Sequence, residues 1–176
     1  MSTEDSPAVS RATALVRAMG MDLPEFGGVR EVPIGTVPEV PRRLLDHRSH
    51  MTVAMEQLCG GPVGLRVVAE RPERAAAERY VREILLLNGD GGVVQHGIVR
   101  IDLAAVPPAT AAEIRAGRKP LGRIVIDAGL LCDVQGVTLL EVVPGPHLAR
   151  LLGGGVHAVT YGRVAEIRVA GAAAVE

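Results

Sequence analysis

A chain of 176 residues with 19 Lys and Arg against 20 Asp and Glu carries a formal net charge of −1, so it has no basic surplus to neutralise a phosphate backbone. Phe26, Tyr80 and Tyr161 are its only aromatic residues, too few to stack on bases, and nucleic acid is set aside as a partner. The length predicts one domain that buries about two thirds of its unfolded surface without metal or disulfide.

Residues 1–10 are polar and proline-containing and are expected to form a disordered tail, with Ser10 capping a short helix that carries Ala14, Leu15 and Met19. Residues 11–176 are then the single domain. Prolines at 24, 33 and 38 and glycines at 27, 28 and 35 make the stretch from Gly20 to Val40 irregular or short-strand chain. Pro41 suits the first turn of a helix whose Leu44, Met51, Met55 and Leu58 form one stripe, broken near Asp46 to Ser49 and ended by Gly60–Gly61. From Pro62 the period changes to that of strands. Gly64–Ala69 and Tyr80–Leu87 are joined by the helix-permissive segment Arg71 to Arg79, and Tyr80–Leu87 forms a hairpin with Val93–Ile101 through Asn88–Gly89–Asp90–Gly91–Gly92. Pro107 and Pro108 break the sheet, Thr110 caps a short helix through Arg115, and residues 117–122 lead to an apolar segment at 124–126. Leu130–Val134 and Val137–Val143 read as two strands, Pro146–Leu152 as a helical turn or two, Gly153–Gly155 as a hinge, and Val156–Val175 as a last hairpin turning near Gly171. The pattern predicts an α+β domain, a single antiparallel sheet with helices packed on one side. Cys59 and Cys132 lie far apart without CxxC spacing, no apolar h-region follows Met1, and no run approaches the ~18 apolar residues of a membrane span; a reduced cytoplasmic protein is expected.

Tyr80–Val81–Arg82–Glu83–Ile84–Leu85–Leu86–Leu87 inserts two charges into an apolar run. In a strand, Arg82 shares a face with Tyr80, Ile84 and Leu86, and Glu83 shares the other with Val81, Leu85 and Leu87. A guanidinium in an apolar wall must find an anion, which is either an internal carboxylate or that of a ligand. Gly97, within a β-branched strand, points equally to a bulge or to close approach of a ligand. Glu141 and Glu176 end apolar strands and are either exposed or acids of raised pKa facing a pocket. Serine chemistry finds no G-x-S-x-G elbow, and Cys59 falls at a helix C-terminus, where the dipole disfavours a thiolate. Asp46, His47 and His50 have ligand-like spacing but need His96 or another group to complete a metal site, and a solvated helix face explains them as well. No metal or cofactor is therefore expected.

Leu44–Leu45–Asp46–His47–Arg48–Ser49–His50–Met51–Thr52, then Val81–Arg82–Glu83–Ile84–Leu85–Leu86 with its glycine turn and strand to Gly97, then Lys119–Pro120–Leu121–Gly122–Arg123, resemble in order and rough spacing the chorismate pyruvate-lyase family. Those enzymes split chorismate into 4-hydroxybenzoate and pyruvate without metal or cofactor. A related resemblance reaches the ligand-sensing domains of GntR-type regulators, which share the fold, bind small effectors and do no chemistry. The resemblance implies that Arg82 grips the carboxylate of an aromatic ring and that Met51 and Leu121 line the pocket and help hold that carboxylate through their backbone N–H groups. It further implies a glutamate on the final strand, after a glycine turn, that assists loss of the enolpyruvyl group. Here the turn is Gly171 and the chain stops at Glu176, a little short of the family position, so either Glu176 or Glu141 takes that part or the carboxylate is missing. Ile98 stands where the family carries an arginine after Gly97, a departure for which Arg100, two residues on and on the same strand face, is the candidate replacement. The expected function is pyruvate elimination from chorismate; the alternative is a module of the same fold that binds an aromatic carboxylate without chemistry.

Overall fold

The computed structural model describes residues 6–73, 78–155 and 158–176. In chain order the elements are α1 (Pro7–Ala18), α2 (Leu23–Phe26), β1 (Gly27–Glu31), α3 (Glu39–Leu45), α4 (Met51–Cys59), β2 (Gly64–Pro72), β3 (Arg79–Leu87), β4 (Val93–Asp102), α5 (Pro108–Ala116), α6 (Leu121–Asp127), β5 (Cys132–Pro144), α7 (Pro146–Leu152), β6 (Thr160–Val169) and β7 (Ala172–Val175). Short 3-10 turns occupy Ile34–Thr36 and Leu103–Ala105. The strands form an antiparallel sheet in the order β1-β5-β6-β7-β4-β3-β2, and the chain is α+β as its patterning predicts. Among the described residues no helix is long and apolar enough to cross a membrane.

Several boundaries differ from the sequence reading. The first helix starts at Pro7 because Ser6, not Ser10, caps it: Ser6 Oγ accepts from the Val9 N–H at 3.1 Å, and Pro7 fills a first-turn position where its missing N–H is harmless. Residues 1–5 of the expected tail lie outside the described residues. The two strands expected over 130–134 and 137–143 are one, β5, which bends at Gly136 with φ +60° instead of turning back. Gln135–Gly136 resembles a turn in sequence, but the apolar residues on either side pair as one continuous strand. The irregular stretch from Gly20 to Val40 supplies β1, entered at Gly27 with φ +133°, where a Cβ would lie 2.2 Å from the Val143 carbonyl oxygen. Only glycine fits there. The segment expected to link the strands from Arg71 to Arg79 is shortened by β2, which runs on to Pro72; its residues 74–77 lie outside the described residues, as do Val156 and His157 at the start of the expected last hairpin. That hairpin otherwise forms as β6–β7, turning through Ala170 and Gly171, both at positive φ.

Residue contacts divide the chain into two compact units. The first comprises the chain up to His47 with Gly136–Ala165. Its β1–β5 ladder runs from Gly27 opposite Pro144 to Glu31 opposite Leu140, and Val32, Val37 and Leu139 form a core with Leu45, Val137 and Tyr161. The second comprises Arg48–Gln135 with Glu166–Glu176. Its β2–β3–β4 meander is extended by β7, which pairs Val175 with Ile101. Ile101, Leu103, Ile114, Ile124, Val169 and Val175 form its core, so α5 and α6 cover the sheet face that carries Ile101.

Candidate functional site

The β3–β4 ladder sets Arg82 opposite Val99 and Val81 opposite Arg100. Opposed residues share a face and successive residues alternate, so Arg82 and Arg100 project to opposite faces of the hairpin. Arg82 lies on the face of Tyr80, Val99 and Ile101, beneath α5 and α6. Its side chain is only 5% exposed. Nε donates to Glu70 Oε1 at 2.5 Å, and Nη2 donates to the Ile114 carbonyl at 2.9 Å, in the last turn of α5, where the helix dipole favours a cation. The guanidinium also lies 5.1 Å from the centroid of the Tyr80 ring, within range of a cation–π contact. These bonds leave part of the donor fork uncommitted.

Glu70 was not visible as the partner in the sequence, where the second-unit edge strand reads as ending at Ala69. The structure explains how it arrives. β2 pairs Val67 with Ile84 but Ala69 with Glu83, so a bulge at Val68 shifts the register by one residue. Without that bulge Ala69 would oppose Arg82 and Glu70 would project to the other face; with it, Glu70 is carried onto Arg82.

Arg82 opens onto a recess of about 270 Å³ walled by Tyr80, Pro72 and Leu103 and by the charged residues Glu70, Arg71, Glu78, Arg79 and Arg115. Four arginines against two glutamates give this lining a formal surplus of positive charge. Arg79 is paired with Asp102 at 2.7 Å and Arg115 with Glu78. The Tyr80 hydroxyl is buried without a hydrogen-bond partner among the described residues. Burial pushes the phenol's pKa up, against the downward pull of Arg82 and Arg115 and with a further push from Glu70. The group is therefore a protonated donor over the ordinary pH range.

Met51 and Leu121 are the first residues of α4 and α6. The two N-termini meet: a Cβ on Gly122 would lie 2.7 Å from Thr52 Oγ1 and 3.0 Å from His50 Cβ, so glycine at 122 is what lets them approach. Leu121 packs on the same apolar cluster as Tyr80 and Val99. The backbone N–H groups at these helix starts lack partners within their helices and favour negative charge. Gly97, also on the Arg82 face, pairs with Ile84 without a register shift; the irregularity lies instead between Leu86 and Leu87. A Cβ there would meet Ile84 Cγ1 at 3.5 Å, an ordinary contact, so the bulge reading of Gly97 does not hold.

Glu176 lies with Arg100 on the opposite face. Arg100 and Glu176 exchange both backbone bonds, at 2.9 and 3.0 Å, and Arg100 Nη1 donates to Glu176 Oε2 at 2.5 Å while Nε donates to Glu73 Oε1 at 2.7 Å. Burial lowers the Arg100 pKa, but the two carboxylates outweigh it and hold the guanidinium firmly charged. Glu141 belongs to the first unit, directly across the β1–β5 ladder from Arg30, whose Nε donates to it at 2.7 Å. Arg82, Gly97, Met51 and Leu121 thus all belong to the second unit, but of the four only Arg82 lines the recess; Arg100 is joined to Glu176 on the reverse face, and Glu141 is engaged in a cross-strand ion pair.

A second buried pair went unremarked in the sequence. Glu83 and His96 share the Arg100 face, with His96 Nε2 2.8 Å from Glu83 Oε1 and the carboxylate side chain 2% exposed. The alternation of β3 showed Glu83 facing apolar neighbours, but only the register reveals His96 beside it. In the first unit Arg163 donates to the Leu45 and His47 carbonyls at 3.1 and 2.7 Å, and burial lowers its pKa to about 10. It fastens the chain just past α3, and His47 is held there, its Nε2 2.9 Å from the Leu44 carbonyl. No group of three His, Cys, Asp or Glu gathers as a metal site among the described residues.

No protein-family model matches the chain, and no curated protein matches it in sequence.

Proposed function

We propose that the second unit binds a small aromatic carboxylate at Arg82. The observation that carries this reading is a guanidinium almost wholly buried, fixed by a helix C-terminus and an aromatic ring, and opening onto a recess whose charged lining is net positive. Such a group is preorganised to take a carboxylate with little loss of side-chain freedom. Tyr80, Pro72 and Leu103 supply surface for a single ring, and the Tyr80 hydroxyl offers a donor to a polar substituent. Pyruvate elimination from chorismate is the second reading, favoured by the abutting helix starts at Met51 and Leu121 that the family resemblance implies as carboxylate holders. That reaction needs an acid at the departing ether oxygen. Glu176 faces away from Arg82 with Arg100, and Glu141 is held by Arg30, so binding without chemistry is the reading the geometry supports better.

The reading fits a cytoplasmic protein: both cysteines are free thiols, and burial pushes that of Cys132 up, away from reactivity. The test is calorimetric titration with 4-hydroxybenzoate and with its uncharged amide, alongside a pyruvate assay on chorismate. Binding of the acid and not of the amide, with pyruvate release no faster than in buffer, is expected. Binding of both alike would reject the carboxylate site. Pyruvate release slowed by about 10² or more in Glu176→Gln or Glu141→Gln would instead establish the lyase.

A further inference from the structure

We propose that Glu70 is a built-in occupant of the ligand's carboxylate position, displaced when ligand binds, and that it thereby sets the site's affinity. The inference rests on the carboxylate-binding reading of Arg82. Its starting point is the asymmetry of the pair: the Arg82 side chain is 5% exposed and that of Glu70 is 45% exposed. Arg82 is anchored by the Ile114 carbonyl and the Tyr80 ring, both independent of Glu70. Glu70 stands on the edge strand β2, on the rim of the recess, and among the described residues its side chain bonds to Arg82 Nε alone. One member is fixed and the other is free to rotate into solvent.

The bulge at Val68 gives the arrangement its specificity, because it alone turns Glu70 to the Arg82 face. Bulges are common on edge strands and beside sites, where they re-aim a side chain. Physically, a buried guanidinium stranded without an anion is costly, and an internal carboxylate removes that cost in the empty protein. Ligand entry is then an exchange of one carboxylate for another at the same donors, with Glu70 regaining hydration as it leaves. Breaking the Glu70 bond offsets part of the energy the ligand gains at Arg82, the ring contacts add to what remains, and an uncharged ligand brings no anion to take the place of Glu70.

The experiment is calorimetric titration of 4-hydroxybenzoate into the full chain and into Glu70→Gln, Glu70→Ala and Arg82→Ala. Removing the competing charge should tighten binding by about tenfold in both Glu70 variants, corresponding to one charge-assisted contact no longer broken on entry. Wild-type binding that Arg82→Ala weakens but neither Glu70 variant strengthens would overturn the inference and leave the binding site standing. Wild-type binding indifferent to Arg82→Ala, or no binding by any of the four proteins, would overturn the site and the inference with it. A fall in thermal stability of Glu70→Gln without tighter binding would return Glu70 to a purely structural ion pair.

Discussion

Arg82 and Arg100 occupy the same hairpin one register step apart, yet they meet opposite fates. Arg100 is clamped by two carboxylates, Glu73 and Glu176, and tied to Glu176 through the backbone as well. Its charge is more than satisfied: Glu176 follows the neighbouring strand β7, and Glu73 follows β2, two strands across the sheet. Arg82 is far more buried but among the described residues has a single, half-exposed carboxylate, a carbonyl and a ring, with open space beside it. The contrast lies in the counter-ions: Glu70 is 45% exposed, whereas Glu73 and Glu176 are 23% and 22% exposed. On the proposed reading Arg100 is scaffold, and Arg82 exchanges its carboxylate partner for that of a ligand.

Substituting the two arginines should separate those roles. Arg82→Ala should weaken 4-hydroxybenzoate binding by about 2 to 4 kcal/mol, since charge-assisted bonds in a sheltered site are lost. Titration calorimetry measures this; equal affinity in the variant would place Arg82 with Arg100 as scaffold. Arg100→Ala should leave that affinity unchanged while lowering stability by about 1 to 2 kcal/mol, because Glu73 and Glu176 would then face each other without a cation. Chemical denaturation reads the stability, and a loss of ligand affinity would move the site to the reverse face.

Tyr80→Phe keeps the ring over Arg82 and deletes only the hydroxyl, which has no hydrogen-bond partner among the described residues. Binding of 4-hydroxybenzoate should weaken by about 1 kcal/mol with folding stability unchanged or slightly raised at neutral pH. The same variant sharpens the electrostatics. Burial holds the folded phenol above its ordinary pKa of 10.0, so the neutral group's contribution to stability is intact below that value and is lost as pH rises through the folded pKa. Stability curves from pH 9 upward should therefore fall less steeply in Tyr80→Phe than in the parent. Glu141→Gln is the smallest perturbation: it removes an exposed cross-strand pair in the other unit and should alter neither ligand affinity nor, measurably, the thermal midpoint.

Much of this contrast is encoded locally. The alternation of β3 set Arg82 and Glu83 on separate faces, and the glycine turn at 88–92 paired β3 with β4 in the order observed. What could not be read was register. Arg100 was linked by sequence to the ligand side through Ile98, but the pairing of Val81 with Arg100 puts both on the reverse face. Glu70 was hidden because a one-residue bulge, invisible in the polar-apolar pattern of Val67–Val68–Ala69, decides which face it takes. Glu176 follows the glycine turn as the family resemblance implies, yet its direct opposition to Arg100 determines where it faces. Periodicity gives the faces of one strand; cross-strand partners depend on pairings that the local sequence does not contain.

A crystal structure with 4-hydroxybenzoate bound would show whether a ligand carboxylate takes the place of Glu70 on Arg82. The predicted result is the ligand carboxylate within hydrogen-bonding distance of the Arg82 guanidinium, the Glu70 side chain turned out to solvent, and the Arg100–Glu73–Glu176 cluster unchanged. Ligand density on the Arg100 face, with the Arg82–Glu70 bond intact, would contradict it.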